Sequence, residues 1–216
     1  MLSRAWRHIE HNLKEGGARQ VLRKIVYRIG QWAWSESPWL TYHLAAASCG
    51  LTPRLPLESR TLDLDELLQL GYYKALSFPE MVRDRLAAGA ACHGFFLDGV
   101  LVNIAWTTRD YLDMEPGLVL REPSSVGIFD CFTFPEHRGK GIYLDTLIRL
   151  IHDARDAKVS TVWIAVHPQN LPSIKAIERA GFEPHRRIVL RRRAGRASRA
   201  ESSFEPVIAK GPRPGA

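Results

Sequence analysis

The feature that most constrains this chain is a strand–helix–strand unit in its second half. Residues 126–134 are an apolar, β-favouring run closed by Pro135, and residues 141–156 place Leu144, Leu147, Ile148 and Ile151 on one helical face. Residues 159–166 are a second continuous run of the buried type. A helical crossover carries the chain back to the end of the sheet from which it left, so the two strands must be parallel neighbours or near-neighbours.

The flanking sequence makes that sheet mixed. Residues 91–97 and 100–108 are β-favouring runs separated by Asp98-Gly99, the dipeptide suited to a two-residue type I′ turn, which predicts an antiparallel hairpin. Residues 63–70 and 79–88 read as two short helices, 170–180 as a helix stopped by Gly181, and 187–192 as a further strand. The expected fold class is therefore α/β, a central mixed twisted sheet flanked by helices.

Ahead of this lies a basic amphipathic segment. Val21, Leu22, Ile25, Val26, Ile29 and Trp32 recur at helical steps, with Arg19, Arg23, Lys24 and Arg28 between them. Such a helix over residues 18–34 either docks on the domain through its apolar stripe or lies on an anionic membrane surface. Residues 35–60 carry Pro38, Pro53 and Pro56 and read as a connector with one strand near 40–47. The expected division is thus 1–60 for the amphipathic helix and connector, 61–193 for the domain, and 194–216 for an extension with a short strand at 204–209 before a frayed end.

Composition limits the functional classes. With 216 residues, 45% of them hydrophobic and 25% charged, the chain can bury one core of ordinary domain size. The net charge of +7 favours anionic partners, and the excess sits at the two ends. The arginine run of Arg191, Arg192 and Arg193 lacks the interleaved aromatics that stack nucleobases, which weighs against nucleic acid. Cys49, Cys92 and Cys131 are too scattered for a metal site, so no metal is expected, and reduced thiols fit a cytoplasmic protein. No apolar run is long enough to span a bilayer, and no signal peptide is evident, so any membrane contact is expected at the inner face.

The chemistry concentrates in Phe134-Pro135-Glu136-His137-Arg138-Gly139-Lys140-Gly141-Ile142, between a strand and a helix. A helix start presents unpaired N–H groups, and glycines let the backbone approach an anion closely. Arg138 and Lys140 add positive charge. The spacing fits neither Gly-x-x-x-x-Gly-Lys-Ser/Thr nor Gly-x-Gly-x-x-Gly, since position 144 is Leu. A second block follows about thirty residues on, where Asn170 is a helix cap, Ser173 stands in the first turn, and Gly181-Phe182 closes the helix.

The two blocks together resemble the GNAT superfamily of acetyltransferases, over about residues 79–190 and most specifically over 130–182. Its pyrophosphate loop has the pattern Gln/Arg-x-x-Gly-x-Gly/Ala, met here by Arg138 and Gly141, with Tyr143 in place of the small residue. The resemblance implies the GNAT fold, acetyl-CoA as co-substrate, and transfer of an acetyl group to an amine. It implies that Phe132 and Thr133 pair through their backbone with the pantetheine arm. Arg138, Gly139, Lys140, Gly141, Ile142 and Tyr143 would receive the pyrophosphate, and Asn170 with Ser173 would lie beside the pantetheine.

Asp130, on the strand leading to the thioester, is the candidate general base, with Glu136 and His137 as alternatives and His93 read as a sheet residue. Many relatives carry a tyrosine as proton donor where this chain has Ile177. The expected acceptor is a small-molecule amine, an amino sugar or another cell-envelope precursor. Protein amines and longer acyl chains stay open, as does a non-catalytic CoA-binding protein that uses its basic ends for a membrane or nucleic acid.

Overall fold

A computed structural model describes residues 34–70, 79–115, 118–193 and 196–203. The amphipathic segment at 18–34, apart from the backbone of Trp34, and the strand expected at 204–209 lie outside the described residues. Two compact units are distinguished, residues 39–187 with 202–216 and residues 1–38 with 188–201.

In the larger unit Asp98 and Gly99 both take positive φ, 51° and 76°, as a type I′ turn requires. They join β3 (Ala91–Leu97) to β4 (Val100–Glu115). β5 (Leu118–Thr133) then returns antiparallel along β4, so the strand expected from residue 126 starts well before it. The extra length is polar and irregular. Asp110 and Ser124 hold φ of 61° and 57°, the Ser124 N–H donates to Asp110 Oδ1 at 2.7 Å, and Pro123, which has no N–H to give, falls inside this bulge. The chain folds over Gly127 here: a Cβ at that position would come within 2.3 Å of the Tyr111 carbonyl oxygen.

The crossover predicted from the sequence is present. After β5 come a 3-10 turn at Pro135–His137, helix α3 (Ile142–Asp156) and β6 (Thr161–Val166), which pairs parallel to β5. Before them stand β2 (Glu58–Thr61), α1 (Leu64–Gln69) and α2 (Pro79–Ala87). Asp63 and Glu66 form a reciprocal capping box at the start of α1. Helix α4 (Leu171–Arg179) and β7 (Glu183–Arg193) follow β6.

The strand expected near 40–47 is β1 (Trp34–Ala45), which begins earlier than expected. Its residues Leu40 to Ala45 pair antiparallel with Val166 to Thr161, so β1 lies between β6 and β7 in the order β2-β3-β4-β5-β6-β1-β7. The sheet therefore draws on residues ahead of Thr61, where the sequence alone puts the start of the domain. In the smaller unit β8 (Arg196–Ser203) lies beside the end of β7, and Arg191 Nε meets Glu36 Oε1 at 2.8 Å.

Two apolar layers cover the sheet. On one face α3 and α4 pack on Leu40, Tyr42, Leu44, Ile128 and Ile164, with Leu147, Ile151 and Ile177 from the helices. On the other, Leu67 of α1 and Val82 of α2 cover Ile104, Trp106, Phe129 and Trp163. Three side chains on one face of α3 hold the segment after β1. Asp145, 3% exposed, accepts the N–H groups of Arg54 and Leu55 at 2.7 and 2.5 Å. Arg149 reaches the Leu55 carbonyl, and His152 the Leu51 carbonyl.

Burying Leu40, Tyr42 and Leu44 contributes about 5–9 kcal/mol at about 1.5–3 kcal/mol per large apolar side chain, comparable to the whole stability of a domain. A chain beginning at Thr61 should therefore lose its cooperative thermal transition by circular dichroism, while one beginning at Trp34 should retain it. A cooperative melt from the shorter chain would contradict the role given to β1.

Candidate acyl-CoA site

The parallel pairing of β5 and β6 stops at Ile128↔Ile164, although β5 runs on to Thr133 and β6 to Val166. Past that point β5 keeps its ladder with β4, through Phe132↔Ile104 and Thr133↔Asn103. Its ladder to β6 does not continue past Ile128. An extended chain can add to such an edge through main-chain hydrogen bonds.

A bulge lies just past that point. Ile104 pairs with Phe132 but Trp106 with Phe129, so Asp130 and Cys131 together oppose Ala105. Asp130 takes φ of 46°. The extra residue resets the alternation of the strand: Ile128 and Cys131 meet the α3/α4 layer, and Phe129 and Phe132 meet the α1/α2 layer. Asp130 Oδ2 accepts a hydrogen bond from Arg85 Nη1 of α2 at 2.6 Å. The Arg85 guanidinium lies 5.2 and 5.0 Å from the ring centroids of Trp106 and Phe129, so ring contacts and an ion pair fix it beside Asp130.

The glycine loop stands at the end of the same strand. Gly139 and Gly141 take φ of 77° and 81°, and among the described residues no atom beyond the chain neighbours lies within 4 Å of a Cβ built on either. Gly141 precedes α3 without a side-chain cap, and the first helical bond runs from the Asp145 N–H to the Gly141 carbonyl. The N–H groups of Ile142, Tyr143 and Leu144 therefore come ahead of the helical ladder, at the positive end of a 15-residue helix. Lys140 is exposed. Arg138 is folded back, with Nε donating to the Thr133 carbonyl at 3.0 Å and its guanidinium 5.3 Å from the Phe132 ring centroid. Loop and charge suit a pyrophosphate.

The other predicted residues take distinct places. The Ile142 side chain is buried with Leu57 and Val102, so only its backbone faces the loop. Tyr143 also turns inward and packs on the α3/α4 layer. Burial first, then the Cys131 thiol, pushes that phenol well above its usual pKa; burial likewise raises the Cys131 thiol. Asn170 caps α4 by accepting the Ser173 N–H at 3.3 Å, which puts the first turn of α4 at the end of β6. Glu136 and His137 sit in the 3-10 turn. Ile177 is fully buried in the core.

Sequence reasoning did not find Arg85 or Cys131. Arg85 lies 45 residues from its partner, and no local pattern announces the pair. On the α1/α2 face, His43 and His185 make ring contacts with Trp163 at 5.1 and 4.8 Å. The Trp163 Nε1 has no hydrogen-bond partner among the described residues.

A strand pair whose ladder ends early, with two helix N-termini and a glycine loop near that end, is an arrangement that suits an extended anionic ligand. The sequence profile of the Acetyltransferase (GNAT) family matches residues 62–182, and the chain belongs to this family. Its members use acetyl-CoA as co-substrate. No curated protein matches the sequence.

Among solved structures, a GNAT-family acetyltransferase from Colwellia psychrerythraea aligns over 79% of this chain and 61% of its own, at 16% identity and a TM-score of 0.54. A protein of unknown function from Staphylococcus epidermidis aligns over 78% and 66%, at 12% identity and 0.53. A glucosamine N-acetyltransferase region of a fungal multi-domain β-N-acetylglucosaminidase aligns over 80% and 23%, at 10% identity and 0.51. The chain spans less than two thirds of the length of each. These likenesses establish the fold.

His93 lies elsewhere, in a cavity of about 270 Å³ lined also by Thr107, Arg109 and Asp153. Its Nε2 is 2.9 Å from Thr107 Oγ1. Burial holds the imidazole below its ordinary 6.5, only partly opposed by the Asp153 carboxylate. The unfolded chain then binds the extra proton first, so His93's contribution is complete above pH 6.5 and is lost as pH falls toward the depressed folded value. An NMR titration should place His93 below 6.5, and His93→Gln should flatten the fall of Tm on acidification through that range. Titration of His93 at or above 6.5 would contradict this.

Proposed function

We propose that this protein moves an acetyl group from acetyl-CoA to the amine of a small molecule, with Asp130 as general base. The single observation that supports this best is the end of the β5–β6 pairing at Ile128, with Asp130 in the bulge and the glycine loop at the strand's end. In this reading the backbone of Phe132 and Thr133 pairs with the pantetheine arm. Gly139, Lys140, Gly141 and the N–H groups of Ile142 and Tyr143 receive the pyrophosphate. Arg138 steadies the strand end, and Asn170 and Ser173 line the arm from α4.

The amine nitrogen attacks the thioester carbonyl carbon, the C–S bond breaks, CoA departs as the thiolate and takes a proton from water, and the nitrogen's extra proton passes to Asp130 directly or through a water. An amine of pKa about 10.4 pays about 4.6 kcal/mol to be neutral at pH 7, so a carboxylate fixed at the point of attack removes a substantial part of the barrier. Arg85 orients that carboxylate. The acceptor approaches from the α1/α2 side, toward which Asp130 is turned, and an amino sugar or another cell-envelope precursor is the acceptor class we favour. The segment 18–34 is the part of the chain that would meet an anionic membrane.

A second reading, a CoA-binding protein without turnover, is favoured by one observation: Ile177 fills the family's proton-donor position with a buried aliphatic side chain. The two readings separate in one experiment. Acetyl-CoA at a hundred times its Kd should stabilise the chain by about 2.7 kcal/mol and raise its Tm. Thiol release with a panel of amines should then show turnover that falls about a hundredfold in Asp130→Asn. Binding without thiol release for any amine would favour the second reading, and unchanged turnover in the variant would remove Asp130 as the base.

A further inference from the structure

β1 lies outside residues 62–182, the span matched by the family profile, and it brings side chains to the face of the sheet on which Asp130 meets Arg85. Leu40, Tyr42 and Leu44 point into the α3/α4 layer, so the alternation of a strand sends Trp39, Thr41 and His43 to the α1/α2 face. On β6 that face carries Trp163 and Ala165, with His167 next in the alternation. Thr41 pairs with Ala165, and His43 with Trp163.

Rings gather at two levels of this face. At one, His43 and His185 set their rings 5.1 and 4.8 Å from Trp163, at 86° and 81° to it, and 5.0 Å from each other. At the other, Trp39 meets His167 at 6.4 Å and 82°. Trp39 and His43 are separated along β1 by about 13 Å, at about 3.3 Å per residue. Between the two levels stand only the short side chains of Thr41 and Ala165. Thr41 is fully buried, and its hydroxyl donates to the Arg186 carbonyl and accepts the Arg186 N–H, which fastens β7 to β1. Ala165 is only half-buried, so solvent reaches the sheet there, and Trp39, His43, His167 and His185 are half-buried around it.

This patch adjoins the proposed base. Ile128 and Ile164 are in register, so Phe129 and Ala165 follow side by side on β5 and β6, and both belong to the α1/α2 layer. The Phe129 ring lies under the Arg85 guanidinium that holds Asp130. A recess over Ala165 therefore has Asp130 on one side and the rings of β1, β6 and β7 on the others.

We infer that this recess is the acceptor subsite, in which the ring of an amino sugar rests over Ala165 between the two levels of aromatic and imidazole side chains, with its amine directed to Asp130. The inference deepens the acetyl-transfer reading above and rests on it. A pyranose presents C–H-rich faces, which pack on aromatic rings, and hydroxyls, which need partners that both donate and accept; neutral imidazoles do both. Because Trp39 and His43 come from β1, the acceptor is selected in part by a strand outside the matched domain.

The test is steady-state acetyl transfer by the full chain to glucosamine and to ethanolamine, a primary amine without a ring. The wild type should prefer glucosamine. Ala165→Leu, which fills the recess, should raise KM for glucosamine about tenfold with little change in kcat, and should lower the kcat/KM ratio of glucosamine over ethanolamine about tenfold. Its affinity for CoA, by calorimetric titration, should match that of the wild type.

An active wild type that prefers ethanolamine, or an unchanged ratio in Ala165→Leu, overturns the subsite and leaves acetyl transfer standing. So does an equal loss for both amines, which a merely structural role would give. A wild type that binds CoA and acetylates no amine overturns acetyl transfer and the subsite with it. If Ala165→Leu does not fold, His43→Ala decides on the same ratio, a fall supporting the subsite and no change overturning it.

Discussion

The arrangement of this protein depends on where two parallel strands stop pairing. β5 and β6 are joined up to Ile128↔Ile164 and no further, while β4 continues to hold β5 up to Thr133. Had the pairing continued, the β5 edge would be satisfied and closed to any ligand. Because it stops at Ile128, the rest of β5 is not part of the ladder to β6, and an edge of that kind is where an extended chain can add. The bulge at Asp130 and Cys131 lies at this end of the pairing. One extra residue turns Asp130 toward Arg85 on one side of the sheet and Cys131 into the α3/α4 layer on the other, so the same irregularity sets side chains on both faces of the sheet.

The elements around this end of β5 hold one another in place. Helix α3 is anchored along its length by an apolar face on the sheet and by Asp145, Arg149 and His152, which fasten the segment after β1. Its N-terminus, where the anion loop delivers the chain, is thereby fixed relative to β5. Helix α4 is fixed by Ile177 in the same core and capped by Asn170. Beyond β6 the sheet is completed by β1, whose alternating Leu40, Tyr42 and Leu44 fill the layer beneath α4. Tyr42 also reaches Glu178 with its hydroxyl at 3.3 Å, a direct tie from the N-terminal strand to the helix beside the site.

Much of this was legible in the residues, because it rests on local rules. Asp98-Gly99 specifies its turn through two positive φ values, the spacing of Leu144, Leu147, Ile148 and Ile151 specifies a helix face, and Asn170 with Gly181 marks both ends of α4. What escaped depends on partners far along the chain. A strand near 40–47 is expected, but the start of β1 at Trp34, ahead of Pro38, and its pairing with β6 depend on a partner more than a hundred residues along the chain. β2 is exposed at all four positions and has no apolar alternation to reveal it. The distal part of the β4–β5 hairpin is rich in Arg109, Asp110, Arg121 and Glu122, which read as loop, and is held as strand by cross-strand pairing. At the site, Asp130 and the loop are singled out by their position beside a strand end. The direction of Tyr143 is not, since a residue at a helix start faces solvent or core according to what the neighbouring helix offers.

The central claim is that the end of β5 and the glycine loop hold one acyl-CoA molecule. Hydrogen–deuterium exchange with and without CoA reads this directly, since it reports the protection of individual backbone stretches. The account predicts slowed exchange in peptides covering residues 129–144 and 166–174, with the hairpin around Asp98-Gly99 unchanged. Binding of CoA that left 129–144 exchanging as before, or that protected only the basic ends of the chain, would contradict it.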